Sequence, residues 1–285
     1  MGTLTRQMLA TVMTGSLVAG SLLMVARDVD TTRTASSTAV STTTTTEASS
    51  VTTVADSEAV GVDGVWSVAV LDVGTGEMTS FGEVDETFDT ASIVKVDILA
   101  ALLAQQDGEL TAGQLELAEA MITRSDNDAA TALFEAIGGA EGLDAFNASI
   151  GLTDTTAGTD GYWGLTQTTA EDQVRLLDAV LGEDSVLAET GQSTLRELMS
   201  EVVDEQRFGV TAAADDPSDA ALKVGYLQRS ATGLWDITSI GEIERNGRTY
   251  LVAALTEGGV SFDAGVALSE KVVELAMNEV AGTAV

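Results

Sequence analysis

The chain has 285 residues, 45% hydrophobic and 20% charged, which is enough for one large domain or two small ones and excludes wholesale disorder. Its net charge of −32 falls almost entirely on residues 58–285, because residues 1–57 hold only Arg6, Arg27 and Arg33 against Asp28, Asp30, Glu47 and Asp56. Such a charge keeps a folded domain soluble and excludes nucleic acid or an anionic lipid face as partner. It reads as an acid-rich surface suited to a salty medium. The alternative, a cation site, has no EF-hand loop or histidine cluster behind it, so neither a metal nor an organic cofactor is expected. There is no cysteine, hence no disulfide or thiol chemistry, and no histidine.

Residues 1–30 have the layout of an export signal: Arg6 is followed by an uncharged stretch that lasts to Arg27, with small residues at Ala19-Gly20-Ser21 and Ala26 where cleavage is feasible. The stretch is also about as long as a membrane span, so an uncleaved anchor is the other reading. Residues 31–57 are dominated by Thr and Ser, including Thr42 to Thr46 in a row. Such a segment buries too little apolar surface to offset its conformational entropy and reads as a disordered tether. The expected place is outside the cytoplasm, secreted or held at the cell envelope, with membrane contact only through the N-terminal segment.

From residue 58 a single folded domain is expected. Trp66 to Asp72 alternates like a strand, Gly74-Thr75-Gly76 is a turn signal, and Glu77 to Gly82 is the hairpin partner. Ser92 to Gln105 is apolar on nearly every face and predicts a helix in the middle of a domain. Helices follow over Leu110–Ile122, Asp128–Ile137, Ala140–Ile150, Thr169–Leu181 and Gly191–Val203. After Pro217 strand character returns over Ala221–Tyr226, Leu234–Ile243 and Arg248–Thr256, the last two joined by a hairpin at Asn246-Gly247. A helix from about Phe262 to Val280 closes the chain. This order predicts an α+β fold: one antiparallel sheet formed by the N- and C-terminal strands, with a helical subdomain inserted between them.

Only three lysines occur against ten arginines, and two of them sit in runs that carry chemistry. In Ser92-Ile93-Val94-Lys95 the serine and lysine lie one helical turn apart on one face. A serine at a helix N-terminus has free backbone N–H groups and a favourable dipole for a developing oxyanion. A lysine held in an apolar helix loses solvation and leans toward its neutral, basic form. With no histidine, an activated serine must take its base from a lysine, a carboxylate or a water. Ser125-Asp126-Asn127 and Lys223-Val224-Gly225 follow. Each run alone has a plain alternative, such as a capping serine or a lysine reaching along a helix to solvent.

Together the three runs stand in the chain order of the S-x-x-K, S-D-N and K-T-G elements. In them the chain resembles the penicillin-recognising serine enzymes, and among these the class A β-lactamases. The likeness is most specific over Leu110-Thr111-Ala112-Gly113-Gln114-Leu115, Ala118 to Ile122, Ser125 to Ala130 and Ile137-Gly138-Gly139. Over roughly residues 62–281 the chain is similar to exported actinobacterial serine hydrolases of β-lactamase fold. The resemblance implies Ser92 as nucleophile, Lys95 as general base, Ser125 as proton relay and Lys223 as a positive field. It further implies Asn127 as a ligand for a substrate amide, and Gly225 and Tyr226 as the strand segment that lies against the substrate, with the N–H of Tyr226 joining that of Ser92 on the oxyanion. The substrate class it implies is β-lactams or D-alanyl peptides of the cell wall, bound by a monomer without cofactor.

Four departures qualify the resemblance. The stretch Thr153 to Gln167 offers only Asp154 and Asp160 where the family keeps a deacylating glutamate. Only 33 residues separate Ser92 from Ser125, which removes the loop that walls one side of the family's cleft. Val224 replaces a hydroxyl residue that bonds the substrate carboxylate. Leu234 and Trp235 match no strand-borne cation, leaving Arg229 as the stand-in. The rival readings are a binding module that holds a β-lactam or a peptidoglycan stem without turnover, and an envelope protein in which the fold is only a scaffold.

Overall fold

The computed structural model describes residues 52–54 and 64–282. The sequence expectations for an export signal or anchor and for most of the tether lie outside the described residues. Strands β1 (Thr52–Val54), β2 (Val65–Asp72), β3 (Glu77–Gly82), β6 (Ala221–Gln228), β7 (Trp235–Arg245) and β8 (Arg248–Gly259) form one sheet in the order β1-β3-β2-β8-β7-β6. Every pairing in it is antiparallel except the outermost, where the short β1 runs parallel to β3, from within the stretch read as a tether. The N- and C-terminal strands are joined as expected, with β2 paired to β8 from Val65↔Glu257 to Asp72↔Tyr250.

Consecutive residues are buried along the middle of β2 and β8, Val68 to Leu71 and Tyr250 to Leu255. A strand buried on both alternating faces must be covered on both sides, so the sheet is the central layer. The closing helix (Phe262–Gly282) and the helix Ala170–Leu181 both pack on β2, β7 and β8. The β7–β8 hairpin turns at Asn246 and Gly247, both with positive φ (53° and 69°), the twist that a two-residue Asn-Gly loop supplies.

In chain order, between the N- and C-terminal strands, come helices α1 (Val94–Gln105), α2 (Ala112–Thr123), α3 (Asn127–Ala136), α4 (Gly139–Ser149), α5 (Ala170–Leu181) and α6 (Glu189–Ser200); the closing helix is α7. Two further short strands, β4 (Phe88–Asp89) and β5 (Gln167–Thr168), pair with each other and bring the segment before α1 against the segment before α5. Every residue of α1 from Val94 to Leu103 is buried, as its all-round apolar sequence requires. Two of those residues are ionisable, Lys95 and Asp97. Burial pushes the Asp97 carboxyl up to about 8, so it is a neutral acid at pH 7.

One arginine holds the insert to the edge of the sheet. Arg207 donates to the carbonyl oxygens of Ser200 and Val202 at the C-terminal end of α6 and to those of Pro217, Ser218 and Ala220 on the way into β6. Replacing Arg207 with Ala is expected to lower stability by about 2–3 kcal/mol, since bonds to a charged donor contribute roughly 1.5–3 kcal/mol. Urea unfolding should show the change in midpoint at an unchanged slope.

Candidate active site

The site forms where the helical insert meets β6, the free edge of the sheet. Ser92 lies in a 3-10 turn, Ala91–Ile93, that leads into α1. Sequence alone placed it at the N-terminus of the α-helix, whereas it precedes α1 by a tight turn. Ala91 has φ 48°, and Ser125, in the turn between α2 and α3, has φ 57°. Each left-handed non-glycine residue costs about 1 kcal/mol or more, and both flank or carry a side chain of the site. Asp126 offsets part of this cost by capping α3, its Oδ1 accepting the N–H of Ala129 at 2.8 Å.

Lys95 points from the first turn of α1 into this junction and is wholly buried. Its Nζ lies 3.0 Å from Ser92 Oγ, 2.7 Å from the carbonyl oxygen of Ser125, 3.0 Å from Ser125 Oγ and 2.8 Å from Asn127 Oδ1. An ammonium has three N–H groups, so four acceptors exceed its donors. In either charge state the amine serves three of the four: once neutral it donates to the Ser125 carbonyl and to Asn127 while its lone pair accepts the Ser92 hydroxyl, which leaves Ser125 Oγ to Lys223. Burial lowers the Lys95 amine to about 8, against the opposing pull of the Asp126 carboxylate.

Lys223 enters from β6, also wholly buried. Its Nζ is 3.1 Å from Ser125 Oγ and 2.8 Å from the Val224 carbonyl oxygen. Burial, and after it the neighbouring Lys95, holds the Lys223 amine well below the ordinary lysine value. The Ser125 hydroxyl thus bridges two amines, one from the insert and one from the sheet. Gly225 fixes how close β6 comes: a Cβ there would meet Thr238 Oγ1 at 2.5 Å, the Ser92 nitrogen at 2.6 Å and the Thr90 oxygen at 2.8 Å. Thr238 Oγ1 in turn donates to the Thr90 oxygen at 2.8 Å, tying β7 to the turn that carries Ser92.

In front of Ser92 opens a cleft of about 430 Å³, lined among others by Ala91, Ser92, Asn127, Trp163 and Tyr226. The seven residues singled out in the sequence therefore converge: Ser92, Asn127 and Tyr226 on the cleft wall, Lys95, Ser125 and Lys223 behind them, and Gly225 at the contact between strand and turn. The sequence reading missed Trp163. Its indole stands over Lys95 Nζ at 4.8 Å from the ring centroid, and its Nε1 donates to Thr131 Oγ1 at 3.2 Å. The ring face attracts the ammonium form and opposes the burial effect. The available signal was Tyr162-Trp163 set between glycines in a chain with only 4% aromatic residues.

Three further placements differ from what the departures suggested. Arg229 carries no spare charge toward a substrate, because its guanidinium is held by the carboxylates of Asp89, Asp236 and Glu257. Asp160 is exposed in a turn at φ 55° and is not among the residues lining the cleft. Asp154 is exposed as well, accepting from the neighbouring Thr153 hydroxyl at 3.1 Å.

This fold is that of a β-lactamase-type protein. The chain belongs to the beta-lactamase enzyme family, whose profile matches residues 110–280, more than half of its length. Among solved structures, an ancestral class A beta-lactamase (GNCA) is similar at 26% identity and a TM-score of 0.61, over 76% of this chain and 94% of the other. A beta lactamase from Xanthomonas campestris pv. campestris shares the fold at 24% identity and a TM-score of 0.63, over 78% and 94%. Among curated proteins, LppW of Mycobacterium tuberculosis and of Mycobacterium bovis, a provisionally assigned lipoprotein, is 32% identical over 130 residues. That match covers 45% of this chain and 41% of LppW, so the chain spans about two fifths of the length of the curated relatives it matches.

If Gly225 sets the approach of β6 to the Ser92 turn, Gly225→Ala should lower stability by about 1–3 kcal/mol, since the added methyl overlaps the backbone of Ser92 and Thr90. Urea unfolding of the variant beside the parent chain reads this directly.

Proposed function

We propose that the chain is a serine hydrolase that works through an acyl-enzyme on Ser92. The observation that carries this reading is the Ser125 hydroxyl held 3.0 Å from Lys95 Nζ and 3.1 Å from Lys223 Nζ, with Ser92 Oγ 3.0 Å from the same Lys95. In the neutral form Lys95 takes the Ser92 proton as Oγ attacks an amide or ester carbonyl. The backbone N–H groups of Ser92 and Tyr226 receive the oxyanion, and Asn127 orients a substrate amide. Lys95 then passes its proton through Ser125, beside the Lys223 amine, to the leaving group. Kinship with class A β-lactamases supports small-molecule amides as substrates, with β-lactams and D-alanyl peptides as the reference compounds. No cofactor enters this scheme, and the domain acts as a monomer.

Hydrolysis of the acyl-enzyme needs a base near the ester, and none of the residues lining the cleft is a carboxylate. Loss of a positioned base costs roughly 10²–10⁴ in rate. Lys95 is left to serve both half-reactions, so deacylation is slow. The same observation favours the second reading, a β-lactam- or peptidoglycan-binding protein that acylates or binds without turnover.

Intact-mass measurement of the full chain with a penicillin decides between chemistry and scaffold. A single adduct on Ser92 is expected, lost in Ser92→Ala and in Lys95→Ala, and persisting for minutes to hours. Adduct formation should rise about tenfold per pH unit at low pH and level off above about pH 8, because Lys95 acts only once it has lost its proton and burial places that loss near 8. Label on another serine, or rapid multi-turnover hydrolysis of a chromogenic cephalosporin, would sink the scheme.

The envelope is proposed as the place of action, supported by the uncharged stretch after Arg6, the Thr/Ser-rich segment and the likeness to LppW. Fractionation should put the full-length chain with membrane or medium; recovery from the cytoplasm with residues 1–26 intact would refute this.

A further inference from the structure

The walls of the cleft bear on what it accepts. Its lining is Ala91, Ser92, Asn127, Gly161, Tyr162, Trp163, Gly164, Leu165, Tyr226 and Leu227, and no member is charged. Three of the large hydrophobic side chains left exposed among the described residues meet there: Tyr162 (66% exposed), Leu165 (43%) and Tyr226 (45%). Tyr162 and Leu165 come from the loop before β5, Tyr226 from the edge strand, so apolar surface stands on both sides of Ser92. Tyr226 is stiffened by Trp235 and Phe262, with ring centroids 6.5 and 5.3 Å away. Exposed apolar surface gathered on a concave wall is the mark of an apolar ligand.

The charges around the cleft point the same way. Lys95 and Lys223 lie buried behind the two serines, each occupied by hydrogen bonds within the site. Arg229, the nearest cation on the loop after β6, is outnumbered by Asp89, Asp236 and Glu257. Asp126 and Asp128 flank the lining residue Asn127, and the whole chain carries −32. A carboxylate on an incoming substrate would find no counter-charge on the wall and a repulsive field around it.

Given the acyl-enzyme reading, on which this rests, we infer that the cleft takes uncharged carboxylic esters bearing an apolar group, and discriminates against acyl donors with a carboxylate beside the scissile bond. In the reaction the bond from Ser92 Oγ to the acyl carbon forms and the bond from that carbon to the alkoxy oxygen breaks. The serine proton leaves with the alcohol by way of Lys95 and Ser125. Water then cleaves the ester to Ser92 and releases a carboxylic acid. Once ionised, that acid is itself an anion without a partner on the wall, which favours its departure.

The test uses the full chain and matched donors. A fluorophosphonate, which needs only a reactive serine, is first mapped by intact mass; failure to label Ser92 refutes the acyl-enzyme reading and the inference with it. With Ser92 labelled, acylation by benzylpenicillin methyl ester is compared with acylation by benzylpenicillin, a pair that differs only in the carboxylate. The methyl ester is expected to react at least about tenfold faster, in keeping with the cost of an uncompensated like-charge approach. p-Nitrophenyl butyrate should also be turned over. A ratio at or below one overturns the substrate inference while leaving the acyl-enzyme reading in place. Tyr162→Arg, which puts a cation on an exposed wall position, is expected to bring the ratio toward one; an unchanged ratio means that the lining does not set the preference, and overturns the inference as well.

Discussion

Everything at this site depends on one hydroxyl held between two buried amines. Ser125 Oγ is reached by Lys95 from α1 and by Lys223 from β6, so the two halves of the molecule must be in register for the bridge to exist. Arg207, Thr238 and Gly225 set that register. Arg207 fastens the run into β6, Thr238 binds the Thr90 carbonyl oxygen, and Gly225 leaves β6 no side chain to hold it away from Ser92. The site thus rests on contacts between distant parts of the chain, Lys223 and Ser125 being 98 residues apart.

Burial of these amines works against folding and for chemistry at once. A folded-state lysine near 8 binds fewer protons than an unfolded one, so Lys95 weakens the native state below that pH, and stability recovers as pH rises from about 8 toward the ordinary lysine value of 10.5. Asp97, two residues on, has the opposite sense: its carboxyl is raised to about 8, and its contribution falls as pH rises from the ordinary value of 3.8 through that point. The apolar mass of α1 carries both. A helix so uniformly hydrophobic tolerates two ionisable groups, one of them the proposed base, and its burial is what makes that base available near neutral pH.

Much of this was legible in the sequence because strong local signals stood where the fold needed them. Glu77–Gly82 and the Asn246-Gly247 hairpin follow from alternation and turn chemistry, and the central place of α1 follows from its lack of a polar face. The Ser-x-x-Lys, Ser-Asp-Asn and Lys-Val-Gly runs were readable because lysine is scarce elsewhere. What stayed hidden depends on distant neighbours. The two-residue strands β4 and β5 have no pattern of their own and exist only because they pair across the insert. Trp163 lies far along the chain from Lys95, and the capture of Arg229 by three carboxylates involves residues from three separate segments. A single basic residue in a turn reads the same whether it is free or held.

The scarcity of lysine also has a practical side. Of the three lysine side chains, Lys95 and Lys223 are sealed inside and only Lys271, on the outer face of α7, is open to solvent. Amine-directed coupling of the folded domain therefore has a single lysine handle, placed on the closing helix, which contributes no residue to the lining of the cleft. A dye or a surface attached there would sit on an element outside the cleft wall, a property that came with the burial of the other two lysines.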